Sequence, residues 1–448
     1  MSLTPDHKQP VVLTKRQAPI ITTSGLQGLG GRGSVPLAVP LPFLLTGILA
    51  AALFGIMLPW VVAQALQAPG FAAVLVTVHL ATLGWLTMAI MGASLQLTPV
   101  IIVAPLRMTR FIKWHYPLYT LGVLLLLSGF WFMLPWLMIT GGTLVVGAVI
   151  HYIVIMSCTL AGATKRPLTV SFLSASLVYL SIVVLLGLTA ALDLQFGFIT
   201  TRFYTLVLVH LTVGIIGWLS CTVIGVSYTL VRLFALVHGH DERAGRIVFI
   251  GLNGSIIILV TGFVFAWSPL VLAGGILLLT TAVLFAYDYT RMLRLRRRKP
   301  LDVTQYHSSA AVVYFIVVVA TWIFFTISGR WQPPVLTALG LAAFVGWTGQ
   351  SIVGYLYKIV PFLIWHTRYG PEVGHKKVPL MREMVHERWA WTSWWLINGA
   401  LPAMILSALC AWPVPLQIAS AIMGAGLVIA AVNVLGIVRH LRQPASSA

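Results

Sequence analysis

Charge is what this sequence has least of. Only 8% of its 448 residues are charged, and Asp and Glu together number 9. A water-soluble domain carries about a quarter of its residues charged, so a soluble globular fold is excluded. Cysteine is scarce as well, with 3 in the chain. Cys158, Cys221 and Cys410 each fall within an apolar run, and no CxxC spacing occurs. That excludes an extracellular disulfide framework and leaves the three as small buried apolar residues. No carboxylate lies deep in any apolar run; Asp288 stands at the end of one. Proton-coupled carriers and pumps usually need such a group within the membrane, so its lack weighs against that class. The first forty residues contain no compact apolar stretch of signal-peptide type. They are expected to form a disordered cytoplasmic tail over 1–36.

What the chain does have is apolar length. Hydrophobic residues make up 59% of it and the mean hydropathy is +0.96. They are gathered in runs of about 20 or more, enough to cross a hydrocarbon core of about 30 Å. Irregular backbone cannot face lipid, so each run reads as a helix. Spans are expected near 41–66, 71–103, 111–134, 137–162, 169–192, 203–232, 246–266, 270–290, 310–328, 336–364, 393–411 and 415–438. The reading is an all-α integral membrane protein of about twelve transmembrane helices. It forms one membrane domain over 37–440, followed by a short tail over 441–448.

The formal net charge is +19, which in a soluble protein would suggest nucleic acid. Its placement says otherwise. Lys8, Lys15, Arg16 and Arg32 precede the first span, and Arg107, Arg110 and Lys113 follow the second. Lys165 and Arg166 follow the fourth, Arg243 and Arg246 the sixth, and Arg294 to Lys299 the eighth. Lys376, Lys377, Arg382 and Arg388 follow the tenth, and Arg439 and Arg442 the last; Arg202 and Arg330 alone fall on the other side. Cations stay on the cytoplasmic side of inserted helices, so both termini are expected inside, in a bacterial inner membrane. The basic excess then reports topology and attraction to anionic lipid, not nucleic acid.

An internal repeat is the most specific signal. The second span reads Gly84-Trp85, then Gly92, Leu95, Leu97 and Pro99. The sixth reads Gly217-Trp218, then Gly225, Tyr228, Leu230 and Arg232, and the tenth Gly346-Trp347, then Gly354, Tyr357, Ile359 and Pro361. The tryptophans are 133 and 129 residues apart, four spans in each case. One copy would be an ordinary close-packing motif. Three in register make three pseudo-symmetric four-helix arcs in which helices 2, 6 and 10 are equivalent.

Histidine is the remaining candidate chemistry. His79, His151 and His210 lie well inside spans. His79 is six residues before Trp85 and His210 eight before Trp218. They share a depth in the outer half, but a two-residue offset turns an α-helix by about 200°. The two are therefore expected to face different interhelical spaces, as two separate sites. Imidazole at fixed depth in a bundle suits haem iron or copper; the plainer role is a hydrogen bond across a helix interface. His151, beside Tyr152 and outside the repeated helices, is the weaker candidate. His238-Gly-His240 is expected in a solvated loop, and Asn253 to bond a neighbouring helix. Arg232 and Lys358 are expected to snorkel to the interface, and residues 371–392 to form an amphipathic surface helix. The run WAWTSWW reads as an interfacial aromatic belt.

Twelve spans in three arcs, with histidines on the outer halves of helices 2 and 6, resemble subunit I of the haem–copper oxidase superfamily. The resemblance implies that His79 matches a ligand of a low-spin b-type haem and His210 a ligand of copper or of a second haem. The family's paired histidines of helix 10 fall here on Leu339 and Leu341, and the stretch FVFAWSPLVLAGG lacks the pair that follows helix 7. The Tyr one turn after the helix 6 histidine is Gly214. A complete oxygen-reducing centre is therefore not expected. A similar branch, implicated in nitric-oxide stress, shares the topology and keeps fewer ligands. The expectation is a redox or nitric-oxide-related haem protein, if an enzyme a haem-dependent oxidoreductase, that works with other respiratory or redox membrane subunits. The alternative is a metal-free transporter or an accessory subunit of a respiratory complex, with Gln96, Asn253 and Gln350 along a neutral polar path.

Overall fold

The computed structural model describes residues 35–67, 72–199, 201–298 and 300–442. Nearly all of the predicted tail over 1–36, and most of the one over 441–448, lies outside these. Twelve helices are long and apolar enough to cross a membrane. They are α1 (Pro40–Ala65), α2 (Ala72–Ile102), α3 (Thr109–Phe132), α4 (Pro135–Ala161), α5 (Leu168–Phe196) and α6 (Phe203–Ala235). Then follow α7 (Arg243–Val264), α8 (Ser268–Arg294), α9 (Val303–Ser328), α10 (Pro333–Arg368), α11 (Glu387–Leu409) and α12 (Pro413–Leu441). Every predicted span has its helix. Helices α1, α4, α10 and α12 begin on proline, where the missing N–H costs nothing and φ is preset.

Helices α2 and α10 are the most enclosed of the twelve, and the repeated tryptophans Trp85, Trp218 and Trp347 are almost wholly buried. Each repeated helix widens at one place into a π-helical segment of eight residues: Leu80–Thr87, Val213–Ser220 and Ala342–Gly349. These segments start 133 and 129 residues apart, the spacing of the tryptophans. The threefold repeat is thus built into the backbone.

The glycines of the motif show why. A Cβ on Gly92, Gly225 or Gly354 would lie 2.7, 2.3 or 2.7 Å from the Cβ of Phe43, Phe172 or His307. Those three residues lie on α1, α5 and α9, the first helix of each arc. Gly217 and Gly346 meet Tyr179 and Tyr314 of the same helices in the same way, and Gly84 faces Ala50. Each outer helix spaces its contacts seven residues apart, whereas each inner helix spaces its glycines eight apart. Seven residues return an α-helix to nearly the same face, and eight do not. The π segment takes up the extra residue.

Two expectations fail here. Residues 371–392 form no surface helix: two short 3₁₀ turns, Gly370–Glu372 and Met381–Met384, precede α11. Pro371, Gly374 and Pro379 break any helical run. Cys410 is exposed and Cys158 half-buried, so only Cys221 is the buried apolar cysteine expected.

Candidate functional site

The repeated helices meet through their indoles. Trp218 Nε1 donates to Thr87 Oγ1 at 2.9 Å, and Trp347 Nε1 donates to Ser220 Oγ at 2.8 Å. Both acceptors stand two residues after a motif tryptophan, on the neighbouring inner helix. The same position on α10 is Gly349, and Trp85 Nε1, which would close the ring, has no partner. The Trp85 ring instead fills the space a side chain at 349 would need, since a Cβ there would lie 2.5 Å from its Cη2.

On the side of the π segments away from the basic loops sit the two histidines singled out from the sequence. His79 Nδ1 donates to the carbonyl of Leu75, one turn back, at 2.8 Å, and its ring lies 4.6 Å from Phe130 of α3. His210 Nδ1 donates to the carbonyl of Val183 on α5 at 3.0 Å and packs on Gly187. They touch different helices. With Nδ1 occupied by a backbone acceptor, Nε2 is the atom each ring can offer a ligand. His79 and His210 are half-buried, whereas His115 and His307 are sealed. His151 lies edge-on to His115, with ring centroids 5.5 Å apart.

Three histidines outside the predicted set matter to the interior. His115 of α3 is fully buried, stacks on Tyr152 at 5.8 Å, and has no partner for either ring nitrogen. His307 Nδ1 donates to Gln350 Oε1 at 3.1 Å, and the Gln350 and Asn398 amides bond each other at 2.8 and 3.0 Å. His240 corrects an expectation. Its side chain is not solvated but buried, and Nε2 donates to the equally buried Asp288 Oδ1 at 2.9 Å. Only the partner, 48 residues along on α8, reveals this. Beside them Asp241 is exposed, and its carboxyl is held below the usual range by the backbone N–H of Arg243 and by Arg291.

Asn253 accepts from Tyr179 at 2.7 Å, a neighbouring helix as expected. Gln96 Oε1 has no partner, and Gln350 serves His307 and Asn398. No hydrogen bond joins these three amides among the described residues. Arg232 and Lys358 do not simply snorkel: Arg232 pairs with Glu242 at 3.0 Å, and Lys358 with Asp302.

No family model and no curated protein matches this chain. The donor set must therefore speak for itself. Among the described residues no three or more His, Cys, Asp or Glu come together to hold a metal ion. A lone copper ion, which draws its ligands from the protein, does not fit His210. Haem brings four equatorial nitrogens of its own and asks the protein for one or two axial ligands, and single imidazoles with a free Nε2 meet that demand. The paired helix 10 ligands of a full oxidase centre do not fit: Leu339 and Leu341 stand there, and Leu341 is part of the apolar core.

Proposed function

We propose that this chain is a haem-binding redox protein of the bilayer, similar in plan to oxidase subunit I but without the oxygen-reducing centre. His79 would hold a b-type haem, and His210 would offer a second ligand position. What supports this most is the Nδ1–H bond of each ring to a backbone carbonyl. A ligating histidine is held in that way by its second nitrogen, which fixes the tautomer and aims Nε2 at the metal. In the mechanism, Leu75 and Val183 orient the two imidazoles. Phe130 and the surrounding apolar helices exclude water from the rings. Gly187 leaves room for His210 where any side chain would crowd Cε1. The bound haem would supply one-electron exchange and a site for a small diatomic such as nitric oxide. Both termini are cytoplasmic in this reading, and electrons come from neighbouring redox subunits.

The test is the absorption spectrum of protein purified from haem-replete cells. A Soret band and a dithionite-induced α band are expected, both lost or shifted in His79→Ala and changed in His210→Ala. A colourless, iron-free wild-type preparation sinks the proposal.

A further inference from the structure

A groove of about 360 Å³ opens between α4 and α5 toward the membrane, at the end where the basic loops lie. Its walls are apolar for most of their length, with Ile153 and Leu160 on one side and Leu177 and Val178 on the other. Two features do not belong on a surface that only meets acyl chains. Ser157 of α4 and Ser174 of α5 both line the groove and are exposed, and neither hydroxyl has a hydrogen-bond partner among the described residues. Ser181, deeper in the groove, is satisfied by the carbonyl of Leu177 at 2.8 Å. An unpartnered hydroxyl facing hydrocarbon is costly. At the groove's mouth stands Arg166, exposed and without a carboxylate partner among the described residues. The Arg107 guanidinium fills the space beside Gly162, next to Ala161 of the groove wall. Glu242 of the α6–α7 loop, which reaches the start of α5, is committed to the Leu168 N–H and to Arg232.

We infer that this groove is a binding site for one anionic phospholipid of the leaflet on the basic side. The order of groups along it matches that of the lipid. Ser157 is four residues from the end of α4 and Ser174 six from the start of α5, so the hydroxyls lie about 6 and about 9 Å inside the helix ends. Arg166 takes the headgroup phosphate. The two hydroxyls, one helix turn or more deeper, donate to the ester carbonyls, and an acyl chain lies along Leu177 and Val178. The cation at the mouth is what selects a negative lipid over a zwitterionic one. The inference is independent of the haem reading.

The full-length protein in mild detergent, titrated with phosphatidylglycerol or phosphatidylcholine of the same chains and followed by native mass spectrometry, tests it. Wild type is expected to retain one phosphatidylglycerol in preference to phosphatidylcholine. Arg166→Gln should weaken that preference about fivefold. Ser157→Leu and Ser174→Leu, which fill the groove from exposed positions and so should leave the fold intact, should abolish the retained lipid. Retention unchanged in all three variants overturns the site. So does equal binding of both lipids, displacement by inorganic phosphate alone, or preference for a neutral quinone over phosphatidylglycerol.

Discussion

Trp347 Nε1 of α10 donates to Ser220 Oγ of α6 at 2.8 Å, a buried bond between two of the repeated helices. The Ser220 hydroxyl in turn donates to the carbonyl of Ile215, five residues back, which the wider π turn brings within reach. Removing the hydroxyl by Ser220→Ala strands a buried indole N–H. Interhelical bonds in membrane proteins are worth about 0.6 kcal/mol on average and about 1.7 at most, and this one sits at the upper end because nothing else can serve the indole. A loss of about 1.5 kcal/mol is expected in detergent-denaturant unfolding, with a similar loss for Thr87→Val, the acceptor of Trp218. No loss in either variant would show that the ring is incidental.

The third member of the ring makes the opposite prediction. Trp85 Nε1 already lacks an acceptor, so Trp85→Phe removes no hydrogen bond and relieves an orphan donor. It should cost at least about 1 kcal/mol less than Trp218→Phe or Trp347→Phe. Supplying the missing acceptor by Gly349→Ser does not repair the ring. The new Cβ would stand 2.5 Å from both the Trp85 ring and the Phe344 carbonyl, and overpacking costs about 1–3 kcal/mol. Thermal unfolding should rank Gly349→Ser below wild type.

The glycine contacts yield a graded test. Gly225→Ala should destabilise most of the three second glycines, because its Cβ would come within 2.3 Å of the Phe172 Cβ. Gly92→Ala and Gly354→Ala, at 2.7 Å, should cost less, within the range of about 1–3 kcal/mol for overpacking. His307 occupies the position that Phe43 and Phe172 hold in the other arcs. His307→Phe should therefore fold, with Gln350 still held by Asn398. Expression and a monodisperse elution profile would establish it, and failure to fold would mean the arcs are not interchangeable at this contact.

How much of this was legible in the sequence depends on the range of the contact. The spans were, because hydrophobic length is a local property, and so was the repeat, because Gly and Trp recur at one spacing. The π segments were not: no residue type announces them. The mismatch of eight residues on the inner helices against seven on the outer ones becomes a clue once the contacts are known. The hydroxyl acceptors were in plain view at Thr87 and Ser220, two residues after each Trp. Nothing local said that the donor comes from another helix. For the candidate site, the depth of His79 and His210 was readable. The carbonyls that fix their tautomers were not, since Val183 lies 27 residues from His210. The surface helix over 371–392 was misread because scattered apolar residues outweighed its prolines and glycines.

His240 and Asp288 provide the last test, at the basic end of α8. Both side chains are fully buried, and beside His240 the Asp288 carboxylate has a longer contact with Arg291 at 3.4 Å. Removing one partner of a buried pair leaves the other uncompensated, at about 3–5 kcal/mol. His240→Phe should therefore destabilise by about 3 kcal/mol, and His238→Phe, on an exposed neighbour, by almost nothing. The loop carries a pH signature of its own. The Asp241 carboxyl is held below its usual range by Arg243 N–H and Arg291. A lowered folded-state pKa contributes stability that is present above the unfolded value, about 3.9, and is lost as pH falls through the folded one. Unfolding curves for wild type and Asp241→Asn should thus differ at neutral pH and converge toward acid. A difference that grows on acidification would mean the carboxyl is not held by these partners.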